Sequence, residues 1–154
     1  MLFQRVNRTN PERVFMVMQA NAAGVAADDV VQLELTAASV DGIKVIQPAT
    51  ANMQAVVGVA DAAIANGDYG LVQIFGYRST SRIGPTDSTQ TSLGRVLIPV
   101  AGQDYFSTIA TNAQYGALAV LLESLTTGTS SDTVSKKIFL RMMAVAGFAV
   151  LVSL

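Results

Sequence analysis

Asp61 and Asp68 are the residues whose type and spacing come nearest to chemistry. They flank a short connection, and carboxylates brought together across it could exchange a proton with a substrate or hold a hard cation. Polar turn residues account for the same pair with fewer demands. Asp28 and Asp29 read the same way, as a turn or the start of an element, because no twelve-residue calcium-loop pattern surrounds them. Gly58, Gly67 and Gly70 have neither the spacing nor the terminal Lys-Ser/Thr of a phosphate-cradling loop, so nucleotide binding has no support. The chain has no cysteine and no histidine, which excludes Ser-His-Asp and Cys-His catalysis, thiolate nucleophiles, zinc sites of the usual ligands and disulfides. No nucleophile and base pair can be specified. The expectation is a protein that is not an enzyme and carries no metal or cofactor.

Arginine is placed with more pattern. Arg5, Arg8 and Arg13 form a basic N-terminal arm over residues 1–13, and Arg78 and Arg82 open a long polar segment. A solvated terminus and loop would need no more explanation. The functional alternative is anchoring, since guanidinium forks match carboxylates geometrically and are favoured at protein interfaces. Direct nucleic-acid binding ranks below it, because the net charge is -1 and no dense basic stripe exists. Asn7-Arg8-Thr9 matches a glycosylation acceptor, which means little without a secretory segment.

These side chains must be held by a chain of 154 residues, 51% apolar and only 14% charged. Size scaling lets one domain of that length bury roughly two-thirds of its surface. Soluble domains are typically about 25% charged, so the exterior must be covered by Ala, Gly, Ser, Thr, Asn and Gln, or given over to partners. The N-terminus lacks the apolar core of a signal peptide. The apolar run Met142 to Val152 is shorter than the roughly 18 residues of a membrane span, so a buried terminal element is expected rather than a membrane segment.

The elements read as short strands separated by turn chemistry. Val14 to Met18 has strand length, Val30 to Leu35 alternates with Val31, Leu33 and Leu35 on one face, and Asp41-Gly42 precedes a strand at Ile43 to Ile46. Val56 to Ala60 and Leu71 to Phe75 form a pair around a tight or briefly helical connection at Asp61 to Ala65 and the turn Asn66-Gly67. The second strand is apolar on both faces, which predicts a central or covered position. Gly58, Gly67, Gly70 and Gly76 punctuate this region as scaffold glycines, at bends or close approaches. Arg78 to Thr91 reads as a loop of fourteen residues, Arg95 to Val100 as a strand, and Asn112 to Leu125 as the best helix, with Leu118, Leu121, Leu122 and Leu125 on one face. Ile138 to Leu154 reads as two extended segments bent at Gly147, with an apolar helix over Ile138 to Ala146 close behind. The fold expected is mainly β: a compact β-barrel or β-sandwich-like domain over residues 14–154, with one or two short helices and an extended N-terminal arm.

The central run Val56-Val57-Gly58-Val59-Ala60, then Ile64, Gly67, Tyr69-Gly70 and Val72-Gln73-Ile74-Phe75-Gly76, resembles a pattern in small head proteins of tailed bacteriophages. These are capsid decoration, or cement, proteins that bind the outside of an icosahedral shell. The similarity covers about 25 residues closely and the rest in general character. It implies a β-rich barrel or sandwich, assembly as a homo-trimer or other homo-oligomer, and the major capsid protein as partner on the outer surface of the virion. It also implies that the glycine and Val-Gln segment is scaffold and that the arm is the first capsid contact. The apolar C-terminal tail departs from a simple decoration domain and could serve subunit contact. Assembly is independently plausible, because exposed strand edges invite pairing and this chain has few charged gatekeepers to blunt them. The rival reading is a small-ligand or carbohydrate-binding module using Tyr69, Tyr77 or Tyr105 with Asn or Gln donors.

Overall fold

Period-two alternation becomes strand wherever neighbouring strands take up the backbone polar groups, and eleven strands form in this way among the described residues. The structure is a computed structural model, which describes residues 12–21, 23–35, 42–49, 55–84, 93–108, 118–125 and 133–141. In chain order the strands are β1 (Arg13–Ala20), β2 (Val30–Leu33), β3 (Lys44–Ile46), β4 (Val56–Ala60), β5 (Tyr69–Arg78), β6 (Arg82–Ile83), β7 (Val96–Pro99), β8 (Phe106–Ser107), β9 (Ala119–Leu121), β10 (Val134–Ser135) and β11 (Ile138–Leu140).

The mainly β expectation holds, and the sheet closes. Strands follow the order β1-β3-β2-β4-β5, and an additional β1–β5 pairing joins the ends into a five-stranded barrel. Only β1 with β3 is parallel; the other four pairs are antiparallel. Its interior holds Met18, Ala20, Val25, Val31, Val45, Ala60, Ile64 and Val72. Burial of such side chains contributes about 1.5–3 kcal/mol for each of the larger ones.

The remaining strands make a second ring on the same plan. β5 runs through a bend into β6, and β10 runs into β11, so that Arg78 lies opposite Ile138, Arg82 opposite Ser135 and Ile83 opposite Val134. Four steps on one strand match three on the other, a bulge, and the Lys136 N–H donates to the Ser81 carbonyl within it. β11 pairs with β9, β9 with β7 and β7 with β8, all antiparallel, and β8 returns parallel to β6. In both rings the first strand is parallel to the third, the third pairs with the second, the second with the fourth, the fourth with the fifth, and the fifth with the first. β5 is the fifth strand of one ring and the first of the next.

Two cores result. The second contains Ile83, Leu97, Phe106, Ala119, Leu121, Ile138 and Leu140, together with Val30, Val56 and Val59. The last three come from β2 and β4, so the outer wall of the first ring lines the core of the second. That is why these strands are apolar on both faces.

Several expectations change at this level. The helix expected over Asn112 to Leu125 is replaced by strand where the chain is described: Ala119–Leu121 is β9. Ladders on both of its edges and the burial of Ala119 and Leu121 around half-buried Val120 outweigh the helical propensity of Ala and Leu. Residues 112–117 lie outside the described residues. Ile138–Leu140 is strand rather than helix, again because β5 and β9 offer ladders on both sides; the expected bend at Gly147 lies outside the described residues. The expected loop from Arg78 begins inside β5 and continues as β6, since its Ser and Thr residues sit at the bend between two paired strands. The connection at Asp61 to Ala65 is a tight turn in which Ile64 bridges to Val25.

Gly58 and Gly76 show why glycine is needed around β5. A Cβ on Gly58 would lie 2.2 Å from the Gln73 carbonyl oxygen. Gly76 has φ +97°, and a Cβ there would lie 1.9 Å from the Glu12 carbonyl oxygen. The irregular backbone at Gly76 leaves carbonyls to be satisfied, and the Gln73 amide does so, donating to the Phe75 and Tyr77 carbonyls at 3.2 and 2.9 Å. Gly67 lies in the turn before β5, and Gly70 packs beneath the Ile64 side chain.

Candidate functional site

The charged residues gather at the seam between the two rings. Arg78 ends β5 and is almost fully buried. Its Nη2 donates to Asp28 Oδ1 at 2.6 Å and to the Ala60 carbonyl at 2.8 Å; its Nη1 donates to Asp61 Oδ1 at 3.1 Å and to Gln73 Oε1 at 3.3 Å. Thr80 adds a hydroxyl bond to Asp28 at 3.0 Å. Four residues further on, Arg82 Nη1 pairs with Asp29 at 2.9 Å and with Asp104. Asp29 in turn accepts the Ala26 N–H at 2.7 Å, fixing the turn that presents both acids. Asp28 has φ +67°, a left-handed conformation that aspartate tolerates better than most residues. A buried guanidinium without carboxylate partners would be strongly unfavourable, so the two loops of the first ring must close on the β5–β6 bend.

Arg78 and Arg82 both pair with carboxylates of the same chain; Arg78 is buried, whereas the Arg82 side chain stays 35% exposed. Asp61 gives its carboxylate to Arg78, while Asp68 sits at the turn where its backbone carbonyl accepts the Ala20 N–H. Among the described residues no group of three or more acidic, His or Cys side chains is placed to hold a metal. Sequence reasoning saw Asp28 and Asp29 as turn residues and did not connect them with the arginines some fifty positions later. Only the pairing of distant strands does that.

Arg13 is different. It opens β1, is exposed, and its guanidinium lies 5.8 Å from the centroid of the Tyr77 ring, within cation–π range. Arg5 and Arg8 lie outside the described residues. Tyr77 stands directly opposite Phe139, Phe139 opposite Val120, and Val120 opposite Val96. Their chain neighbours Ile138, Leu140, Ala119, Leu121 and Leu97 fill the core, so alternation turns the row outward. Phe75 meets Phe139 edge-on with ring centroids 5.4 Å apart. The outer wall thus carries an apolar stripe from Val96 to Tyr77, ending in the Arg13 cation. The sequence concealed it, because Ile138-Phe139-Leu140 is apolar at every position.

The three tyrosines of the ligand-binding alternative do not converge. Tyr69 and Tyr77 lie near opposite ends of β5, and Tyr105 is packed over Gly84, where a Cβ would lie 2.0 Å from its ring.

No family model matches the sequence, and no curated protein matches it. Among solved structures, the crystal structure of the head fiber gp8.5 N base of bacteriophage phi29 aligns with TM-score 0.52 over 86% of this chain and 97% of that chain. The two chains share a fold. Identity over the alignment is 13%, so what is shared is the architecture.

Proposed function

We propose that the protein is a structural component of a bacteriophage virion, bound to the outer surface of an icosahedral capsid, where it reinforces the shell by bridging major capsid protein subunits. The observation that carries this is the fold shared with the phage head fiber base, matched over 86% of the chain. The resemblance of the segment Val56 to Gly76 to phage head proteins and the scarcity of charge support it.

The contact surface is the outward stripe Val96, Val120, Phe139 and Tyr77 together with Arg13 and the preceding arm. The stripe supplies apolar area, and Arg13, Arg5 and Arg8 supply forks for capsid carboxylates. The protein acts as a homo-trimer or other homo-oligomer, so that each copy bound holds several shell subunits and loss of one contact is tolerated. Purified protein mixed with assembled capsids that lack it is expected to bind in a fixed number of copies, and removal of residues 1–11 is expected to lower retention. Failure of the intact chain to bind would overturn the capsid assignment.

A further inference from the structure

Among the described residues the first ring is not closed along the whole of β1. β1 pairs with β5 from Arg13 to Gln19, but with β3 only at Gln19 and Ala20. Among the described residues no strand lies against the other edge of β1 from Arg13 to Met18. The Gln19 N–H reaches that side, to the Ile43 carbonyl, while the Ala20 N–H reaches Asp68 on the β5 side. Alternation therefore directs the N–H and C=O of Phe15 and Val17 out of the open edge.

Side-chain exposure agrees. By parity Val14 and Met16 belong with Met18 and Ala20, which fill the barrel, yet they are 38% and 43% exposed. On the opposite face Val17 is 63% exposed, and its cross-strand partner Leu71 is 46% exposed. An open edge flanked by apolar residues on both faces is what an added strand covers. Natural edges are usually guarded by lysine, proline or an inward charge; from Val14 to Met18 this one has none.

We infer that the open edge of β1 pairs antiparallel with the same edge of a second copy of this chain, about a two-fold axis at Met16. The occupant follows from the pattern of the edge itself. Centred on Met16, the pairing sets Phe15 against Val17 in both directions, so the four outward N–H and C=O groups of each copy find partners. It places Met16 against Met16, apolar on apolar, with no like charges opposed, and ends before Met18, where Ile43 already stands beside β1. An isologous contact of this kind closes on itself, which removes the edge instead of propagating it. The inference rests on the homo-oligomer part of the proposed function and narrows it to a two-fold pair.

The test is sedimentation velocity of the full chain from 1 to 100 µM, a concentration range on the order of that used for weak to moderate self-association, with hydrogen exchange read at Phe15 and Val17. The intact protein is expected to sediment as a dimer or an even-numbered assembly, with both amides protected. Val17→Lys, a change at an exposed site, is expected to halve the assembly and speed exchange at both amides at least about tenfold, with circular dichroism unchanged. Val17→Ile keeps the apolar edge and is expected to keep the dimer. A trimer insensitive to Val17→Lys would overturn the edge assignment while leaving homo-oligomerisation standing; a monomer at every concentration would overturn both.

Discussion

Arg78 Nη2 stands 2.6 Å from Asp28 Oδ1, joining the last residue of β5 to a loop residue fifty positions earlier. With Asp61 on Nη1 and Asp29 and Asp104 on Arg82, the bond clamps the loops of one ring onto the strand that begins the next. Burying a guanidinium is costly unless carboxylates and further acceptors meet it, and here Gln73 and the Ala60 carbonyl take Nη donors beside the two acids, while the buried Nε finds no hydrogen-bond partner among the described residues.

Asp28→Asn keeps the shape and the tolerance for positive φ but removes the charge. It is expected to lower stability by roughly 1.5–3 kcal/mol, the range for a hydrogen bond to a charged group. Adding Asp61→Asn leaves Arg78 without a counter-ion and is expected to bring the loss to about 3–5 kcal/mol. Urea unfolding checks both, and unchanged midpoints would show that the seam does not depend on the pairs.

Gly58→Ala is expected to cost more than Gly67→Ala. The first places a Cβ 2.2 Å from a backbone oxygen of β5, while the second meets no atom within 4 Å and bears only the strain of φ +84°. Strain alone costs about 1–2 kcal/mol; a clash with backbone forces β4 away from β5 and exceeds it. Thermal unfolding of the two variants gives the order, and Gly67→Ala as the worse one would contradict the close-approach account.

The general class of fold was legible in the sequence and its closure was not. Alternation at Val30 to Leu33 and the two apolar faces of β5 announced strands and a covered centre. The closing contacts, Val17 against Leu71 and Ile83 against Phe106, join residues far apart in the chain, and short strands carry little to fix such partners. Ala119-Val120-Leu121 shows the same limit, because three residues of either period fit its composition and only the neighbouring strands decide. The arginines were recognisable as residues with a purpose. What Arg78 and Arg82 bind was hidden until β5 met the loop before β2.

The stripe on the outer wall separates binding from stability. Val96→Asp, at an exposed position, is expected to shift unfolding by no more than about 0.5 kcal/mol. It is expected to weaken capsid binding at least about tenfold, equivalent to 1.4 kcal/mol. Unchanged binding would remove the stripe from the contact surface.

The arm makes a separate contribution. Deleting residues 1–11 is expected to lower capsid retention and reduce its sensitivity to salt, since Arg5 and Arg8 leave with it and exposed ion pairs are screened. Retention and salt dependence equal to those of the intact chain would assign the contact to the folded rings alone.

The most direct measurement is electron cryo-microscopy of capsids incubated with saturating purified protein, after sedimentation to remove the unbound chain. The two-ring subunit is expected as density on the outside of the shell, at the same symmetry positions on every particle and touching more than one capsid subunit. Bare capsids, or density touching a single subunit without bridging its neighbours, would contradict a protein that stabilises the shell by spanning it.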